Sequence, residues 1–429
     1  MVGFNDAPLI QSIAVPGVCL LIAFLGYFSQ IVFRYSTTLE PGPPTTQETV
    51  TFNILLATLY YTYYQAVTVD PGRYVFQDAV IEVDEKKRWC KKCEAPKPPR
   101  AHHCRHCERC VPKMDHHCPW TRNCVSLTTF PHFLRFLVYT NLALWVLGRL
   151  LWHRYYSLWE NRHMPAYLGP SLSALVALAI ISLVHFVVTV ALGIMLFTTL
   201  KSWVFNQTMI EGWEQDRHET IAERGGRDWW DVTGPGGEKF RFEKIEFPYD
   251  IGFFNNMSQA MGTSNVLWWF FPFAGNPAVG KNERGVGWEW EENGFNRQTG
   301  MWPPPDPEKI RRATRQWPAG RRDFAAELRE VDESAEARKE AFRERQEADR
   351  RRKQAIVAEL EEDEVDDDSG GDLDDVPYAD DRAPGWTNSD GERLRDYGVD
   401  EDAEEGLDDD VPLGELLKRR KAHRQTDEH

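Results

Sequence analysis

Cysteine is nearly absent from this sequence outside one short segment. Seven of the eight cysteines lie between Cys90 and Cys124, and Cys19 stands alone. Secreted scaffolds distribute cysteines along the chain to form disulfides, so this pattern excludes that class. The N-terminus lacks a basic region ahead of its first apolar run, which we therefore interpret as a membrane anchor instead of a cleaved signal peptide. The last third lacks long apolar runs and is rich in acidic residues, so the chain has an apolar and an acidic part.

Four apolar stretches are long enough to span a bilayer, which takes about 20 mostly apolar residues. They lie at 9–33, 50–69, 130–152 and 171–200. The second is rich in Tyr and Thr and the third contains two arginines, so their signals are weaker. The alternative, a set of buried soluble helices, is disfavoured by four such runs in one chain. The sequence predicts an all-α polytopic membrane protein with four transmembrane helices.

The orientation in the membrane follows from the distribution of basic residues. The loop between the second and third stretches carries twelve Lys or Arg residues, and the loops on the opposite side carry few. Short basic loops stay on the cytosolic side. Four spans then leave both termini in the cytosol, and the cysteine cluster lies in a reducing compartment where thiols are free to bind metal or to react.

Changes in composition divide the chain into five parts. Residues 1–69 hold the first two transmembrane helices, 70–129 form a cytosolic cysteine-rich domain, and 130–200 hold the other two transmembrane helices. Residues 201–305 form a cytosolic, membrane-proximal region. Residues 306–429 begin with Glu/Arg pairs at helical spacing and continue as acidic runs, which predicts a charged helix and then a disordered acidic tail.

The cysteine-rich loop has the density of a metal site. It contains Cys-x-x-Cys pairs among seven cysteines and five histidines. Zn²⁺ takes four N or S ligands in a tetrahedron, so two sites of three cysteines and one histidine use six cysteines and leave one. A nucleic-acid zinc module would need a different spacing, and we expect no nucleic-acid partner. A thiol redox protein would show one isolated Cys-x-x-Cys pair, whereas these pairs are predicted to bind metal.

Cys118 is the candidate for the remaining cysteine because Asp115 and two histidines, His116 and His117, directly precede it. An imidazole held by a carboxylate can lower the pKa of a neighbouring thiol and supply a thiolate nucleophile. The residues alone also allow the alternative in which all seven cysteines are ligands or inert.

The sequence Asp-His-His-Cys at 115–118, in its frame of spaced cysteines between two pairs of spans, resembles the DHHC family of protein palmitoyltransferases. Two further motifs agree, Asp-Pro-Gly at 70–72 and Thr-Met-Ile-Glu at 208–211, and Asn255 is matched to an asparagine of that family's C-terminal region. Ser126 and Thr129 depart from the family pattern, as does the methionine within 208–211. These departures concern the packing of helices and loops.

The resemblance implies ligands and roles for individual residues. The implied ligands of one zinc are Cys90, Cys93, His103 and Cys110, and those of the second are Cys104, Cys107, His117 and Cys124. It also implies that Asp115 orients His116 and that His116 activates Cys118. Arg100, Lys113 and Arg122 are candidate partners of CoA phosphates, although membrane topology alone would also place them in this loop.

The implied function is that of a protein S-palmitoyltransferase. Cys118 takes palmitate from palmitoyl-CoA, the acyl donor, and passes it to cysteines of membrane-associated proteins. The resemblance is strongest to fungal enzymes of the endoplasmic reticulum membrane, and it suggests multispanning substrates such as a chitin synthase. The resemblance places Ala143 at the floor of the acyl cavity. The alternative is a non-catalytic, zinc-containing membrane adaptor or chaperone, which would not need intact Asp115, His116 and Cys118.

Overall fold

The computed structural model describes residues 8–36, 38–75, 88–223, 245–280, 284–304, 388 and 392–400. This part of the chain is mostly helical. Its helices are α1 (Pro8–Ala23), α2 (Ser29–Tyr35), α3 (Thr46–Thr68), α4 (Phe130–Glu160), α5 (Leu172–Phe205), α6 (Met209–Glu223), α7 (Phe253–Met261) and α8 (Val266–Phe270). A π-helical turn, Phe24–Phe28, joins α1 to α2. The predicted charged helix and most of the predicted acidic tail lie outside the described residues.

Three helical stretches are long and apolar enough to cross a membrane: Ser12–Tyr35, Phe130–Glu160 and Leu172–Phe205. They coincide with three of the four predicted spans. The remaining predicted span corresponds to α3, which is helical over 23 residues. Its many Tyr, Thr and Gln side chains lower its mean hydropathy, and it does not count among the candidate spans of the described residues.

The apolar faces of the long helices form one core. α3 packs along α4, and α4 packs along α5. Phe52 and Leu56 of α3 meet Leu144 and Leu147 of α4 in this core, each no more than 5% exposed. Gly26 lets the π-helical turn approach α3 closely, because a Cβ at this position would lie 2.9 Å from the methyl groups of Leu56. The helices therefore pack as a bundle against the cysteine-rich domain.

The cysteine-rich domain consists of three antiparallel β-hairpins. They pair β1 (Trp89–Cys90) with β2 (Ala95–Pro96), β3 (His102–Cys104) with β4 (Arg109–Val111), and β5 (His116–Cys118) with β6 (Asn123–Val125). The prediction of an all-α protein is wrong for this domain. Residues that supply metal ligands favour tight turns between very short strands, and helical periodicity gives no signal for such hairpins.

Residues 392–400, which we call the C-terminal strap, pack against the second hairpin. They contain a 3₁₀ turn, Leu394–Tyr397, and Val399 forms a β-bridge to Cys104. Leu394 and Tyr397 are buried in an apolar cluster with Ile210 and Trp213 of α6. The prediction of disorder throughout the tail is therefore wrong for these nine residues, because their apolar side chains find a partner surface about 290 positions earlier in the sequence.

Candidate active site and metal centres

The structure brings the predicted metal ligands together in two clusters. In each cluster the four ligand atoms lie within 4.8 Å of one another. In the first, His103 Nδ1 lies 3.2 to 3.9 Å from the three Sγ atoms, and in the second His117 Nδ1 lies 3.5 to 3.6 Å from its three Sγ atoms. A tetrahedral zinc with bonds of about 2.3 Å to sulfur and about 2.0 Å to nitrogen sets the S···N separation near ~3.5 Å. Both clusters therefore have a size and composition that fit zinc.

The clusters interleave because each draws its ligands from consecutive hairpins. The Cys-x-x-Cys turn of one hairpin supplies two thiols. The next hairpin supplies a histidine and a cysteine that face each other across its strands, His103 opposite Cys110 and His117 opposite Cys124. Directly opposed residues project to the same face of an antiparallel pair. The pairing register of the hairpins thus determines both ligand sets.

Each metal-binding turn also positions its first thiol with a backbone N–H group. The N–H of Cys93 donates to Cys90 Sγ and that of Cys107 donates to Cys104 Sγ, both at 3.4 Å. Hydrogen bonds to the charged form of a thiol favour the thiolate. These turns are therefore preorganised to present two thiolates to one ion.

The third hairpin repeats this turn without a second cysteine. Cys118 and Thr121 follow Cys104 and Cys107 by 14 residues. Thr121 Oγ1 donates to the backbone carbonyl of Cys118 at 3.3 Å, and Thr121 helps to lower the pKa of the Cys118 thiol. No further hairpin follows among the described residues to supply a histidine and a cysteine, and Cys118 lies outside both clusters. Reasoning from the sequence missed Thr121, although the 14-residue spacing of the two His-His-Cys triplets could have revealed it.

Asp115 and His116 approach Cys118 from the same strand. His116 Nδ1 lies 2.6 Å from Asp115 Oδ2, and His116 and Cys118 line the same cavity. The other carboxylate oxygen of Asp115 accepts the backbone N–H of Met209, the first residue of α6, at 2.9 Å. The positive end of a helix stabilises a carboxylate at this position. Asp115 is thus fixed from two sides and orients the imidazole.

The electrostatics of this group favour a charged pair. Burial by itself lowers the pKa of His116, but the hydrogen bonds to Asp115 and Cys118 outweigh it and raise the pKa to about 10. Burial likewise raises the pKa of Cys118, which is 1% exposed, but His116 and Thr121 outweigh this effect and lower the pKa below that of a free thiol. A thiolate beside an imidazolium is the reactive form of cysteine.

α6 is attached to the zinc-binding domain by a buried arginine. Arg100 Nε donates to Glu211 Oε1 at 2.6 Å, and the guanidinium lies between the rings of Tyr249 and Trp290, 4.5 and 4.6 Å from their centroids. Arg100 is therefore not available to bind CoA phosphates. Lys113 also points inward, donating to Asn206 Oδ1, and only Arg122 of the three proposed basic residues is exposed.

Glu211 also fixes the start of α6 through a capping box with Thr208. The N–H of Thr208 donates to Glu211 Oε2 at 2.9 Å, and the N–H of Glu211 donates to Thr208 Oγ1 at 3.2 Å. The Met209 side chain is not needed for this arrangement because its backbone N–H makes the contact to Asp115. The methionine within the 208–211 motif therefore leaves the site intact.

The two other departures from the family pattern make local hydrogen bonds. Ser126 Oγ donates to the carbonyl of Pro71 at 2.8 Å, and Thr129 Oγ1 donates to the carbonyl of Cys124 at 2.6 Å. The side chain of Asn123 donates to the carbonyl of Val69 at 2.8 Å, just beyond α3. These bonds attach the third hairpin to the end of α3 and to the start of α4.

The buried asparagine of the C-terminal region is Asn256, and Asn255, which the sequence matched to the family's asparagine, is exposed. Asn256 is fully buried, and its side chain donates to the carbonyl of Val204 and to Asp250. Asn255, the preceding residue of α7, is exposed. Two adjacent asparagines at the start of a helix give no sequence signal for which one faces inward. Asn256 thus connects α7 to the end of α5.

Cys118 lies where two cavities meet. An apolar cavity of about 620 Å³ extends between the helices and is lined by Cys118, Phe133, Ala143 and Leu147 among others. It continues past Ala143 to Leu147, so Ala143 belongs to the wall and not to the floor. A second cavity of about 280 Å³ is lined by Asp115, His116 and Cys118 on one side and by the C-terminal strap on the other.

Comparison with known proteins identifies the class of this site. Residues 83–216 match the family model described as DHHC palmitoyltransferase. The chain is 63% identical to "Palmitoyltransferase PFA4" of Gibberella zeae over 98% of both chains. It is 50% identical to "Palmitoyltransferase pfa4" of Neurospora crassa over 96% of both chains. It is also 31% identical to "Palmitoyltransferase PFA4" of Saccharomyces cerevisiae, over 63% of this chain and 74% of that protein.

The chain belongs to the DHHC palmitoyltransferase family. It is a protein S-palmitoyltransferase, as the Asp-His-His-Cys strand, the two metal clusters and the fungal relatives agree. An acyl-CoA is the donor for this family, and membrane proteins are the substrates. The non-catalytic adaptor considered from the sequence is therefore not the function of this chain.

Proposed function

We propose that Cys118 is the acyl-carrying nucleophile, that His116 is its base and that Asp115 orients the base. The observation that supports this most is the position of Cys118, which lies outside both metal clusters, lines one cavity together with His116 and stands at the junction of the two cavities. Palmitoyl-CoA is the proposed donor.

The proposed reaction consists of two transfers of one acyl group. The Cys118 thiolate attacks the thioester carbonyl carbon of palmitoyl-CoA, and the bond between this carbon and the CoA sulfur breaks. The CoA thiolate leaves and takes the proton of the His116 imidazolium. Neutral His116 then removes the proton of a substrate cysteine. The substrate thiolate attacks the acyl carbonyl carbon, and the bond between this carbon and Cys118 Sγ breaks. Cys118 leaves as a thiolate beside the restored His116 imidazolium.

The apolar cavity explains why this chemistry requires a membrane helix bundle. Burial of a methylene contributes about 0.8 kcal/mol, so a palmitoyl chain is stabilised strongly when it lies between the helices. With α3 as the fourth span, as we propose, the chain crosses the membrane four times and has both termini in the cytosol. The cytosolic parts of the chain would then be residues 70–129, 201–305 and 306–429.

Two structural zinc ions are proposed, with ligands as in the two clusters. Metal binding to such ligands is coupled to folding. Here zinc binding would fix the first and second hairpins. Through the ligands His117 and Cys124 it would also fix the two strands of the third hairpin, which carries Cys118. We further propose the endoplasmic reticulum membrane as the location and multispanning clients, such as a chitin synthase, on the strength of the family resemblance alone.

The test is acylation of the purified full-length chain with radiolabelled palmitoyl-CoA. A hydroxylamine-labile label that mass spectrometry locates on Cys118, and that a cysteine peptide in vesicles then removes, is the expected result. A label on another cysteine, with none on Cys118, would contradict the assignment of the nucleophile. Addition of the unlabelled CoA thiol in excess should reverse the first transfer.

A further inference from the structure

The C-terminal strap is held on the zinc-binding domain by backbone and side-chain bonds. The N–H of Arg105 donates to the carbonyl of Gly398 at 3.1 Å, and the N–H of Asp400 donates to the carbonyl of His103 at 2.8 Å. Trp213 Nε1 donates to the carbonyl of Glu392 at 3.0 Å. Together with the buried Leu394 and Tyr397, these bonds anchor both ends of the strap.

Gly398 shows how closely the strap approaches the second metal cluster. Its φ is +83°, and a Cβ at this position would lie 2.6 Å from the Cβ of His117. Only glycine combines this backbone conformation with so close an approach. The strap is therefore fitted to the surface around His117, which is the residue before Cys118.

The strap forms one wall of the cavity through which Cys118 faces the cytosol. Glu392, Asp396 and Tyr397 line this cavity opposite the nucleophile. Asp396 is exposed, and Glu392 is half-buried and accepts hydrogen bonds from Tyr397 and Asn388. The described residues that line the cavity include no lysine and no arginine. Glu392 and Asp396 thus add two carboxylates to the lining of the cavity that also contains Cys118, where Asp115 is already paired with His116.

We propose that Glu392 and Asp396 determine acceptor specificity, and that they favour substrate cysteines flanked by lysine or arginine. This inference rests on the proposed function of Cys118. Cytosolic segments that adjoin membrane spans carry an excess of Lys and Arg. Substrate cysteines in such segments therefore have basic neighbours, which the acidic wall of the cavity would contact. Opposite charges at the cavity mouth attract such acceptors and raise their local concentration.

Glu392 and Asp396 should have the opposite effect on the acyl donor. CoA carries several phosphate charges, and carboxylates at the cavity mouth repel them. Removal of the two charges should therefore weaken the preference for basic acceptors while leaving acylation of Cys118 unchanged or increasing it. Loss of folding would lower both reactions, so these opposed effects separate a specificity role from a structural one.

The experiment uses full-length protein with the isosteric changes E392Q and E392Q/D396N, which keep hydrogen-bond acceptors in place. The matched control, E108Q/E291Q, removes two exposed carboxylates that do not line the cavity. Two vesicle-bound peptides serve as acceptors, identical except that lysines or serines flank the cysteine. Acylation of Cys118, transfer to each peptide and zinc content are measured for every variant.

The expected result is a three- to tenfold drop, roughly, in the lysine-to-serine ratio of transfer rates for the double variant, with acylation of Cys118 and zinc content maintained. The ratio in the unmodified protein should also fall as salt is raised. An unchanged ratio with normal acylation of Cys118 would overturn this inference alone. A joint loss of zinc and acylation in the double variant would overturn it in favour of a structural role. Absence of acylation in the unmodified protein would instead contradict the proposed function.

Discussion

The second and third hairpins of the cysteine-rich domain have nearly the same local sequence and different chemistry. The strands read Ala-His-His-Cys at 101–104 and Asp-His-His-Cys at 115–118, and the following turns hold Cys107 and Thr121 at equivalent positions. In the second hairpin the thiols of the turn meet a histidine and a cysteine from the next hairpin. The third hairpin has no such successor among the described residues, and its thiol pairs with the additional Asp115 and its histidine. The same local sequence therefore contributes to a metal cluster where a further hairpin follows, and places its thiol beside an imidazole and a carboxylate where none does.

The largest expected difference is between Cys118→Ser and Cys104→Ser. The first should abolish acylation and keep two zinc ions, because serine replaces the thiolate by a hydroxyl of far higher pKa. The second removes a ligand whose binding is coupled to folding, so zinc content and thermal stability should both fall. Metal analysis and thermal unfolding of the two variants make this comparison. Loss of zinc from Cys118→Ser, or acyl transfer by it, would show that Cys118 is not the free cysteine.

The two equivalent histidines should also differ. His116→Ala should slow acylation by about 10²- to 10⁴-fold, as expected for loss of a base, with zinc content unchanged. His102→Ala changes the matching position of the second hairpin, whose own cysteine, Cys104, belongs to a metal cluster, and should retain acylation to within a few-fold. Single-turnover rates with palmitoyl-CoA measure both. Equal losses in the two variants would mean that His116 acts through the fold alone.

The pH dependence of alkylation should distinguish the charged pair from an ordinary thiol. The pKa of His116 is raised to about 10 and that of Cys118 is lowered, so a larger fraction of Cys118 than of a free thiol is thiolate near neutral pH. The rate at which iodoacetamide modifies Cys118 should therefore rise less between pH 7 and 9 than the rate for a free thiol. In His116→Ala the influence of the imidazole is gone, and the rate should rise more steeply with pH as the thiol ionises. A steep rise in the unmodified protein would contradict the pairing.

A change in the cavity wall should alter the acyl preference and leave the hairpins unaffected. Ala143 is 5% exposed in the core and lines the apolar cavity one helical turn before Leu147. Ala143→Phe fills the cavity at this level, so donors with shorter chains should be favoured over palmitoyl-CoA by several-fold. Competition between acyl-CoAs of different length measures the preference. An unchanged profile would mean that the acyl chain takes another path.

The smallest effect is expected when the third turn is made like the other two. Thr121→Cys restores the Cys-x-x-Cys pattern, but the described structure offers no histidine and cysteine opposite it. Zinc content should remain at two ions, and acylation should change by no more than a few-fold, because the backbone N–H is retained. A third equivalent of zinc would show that the turn alone is sufficient for binding.

Much of the site could be predicted because its residues are close in the sequence. The number of metal clusters and the special position of Cys118 follow from counting ligands within a segment of about 35 residues. Thr121 was missed because only the lack of a cysteine at this position of the third turn distinguishes it. The roles of Met209 and Asn256 depend on contacts with distant residues, and neither a backbone N–H nor the inward side of a short helix has a sequence signature.

Three features of this protein could be read from the amino-acid sequence: the apolar lengths of the long helices, the two ligand sets implied by family resemblance, and the carboxylate, imidazole and thiol that stand together at 115–118. These properties are local, since they depend on spacing along a few turns or strands. The tertiary structure was needed to show that Arg100 supports α6, that the apolar cavity extends to Leu147 and that the C-terminal strap returns to the cavity lined by Cys118. Those features arise where apolar and hydrogen-bonding groups from distant segments complement each other, and such complementarity exists only in the folded chain.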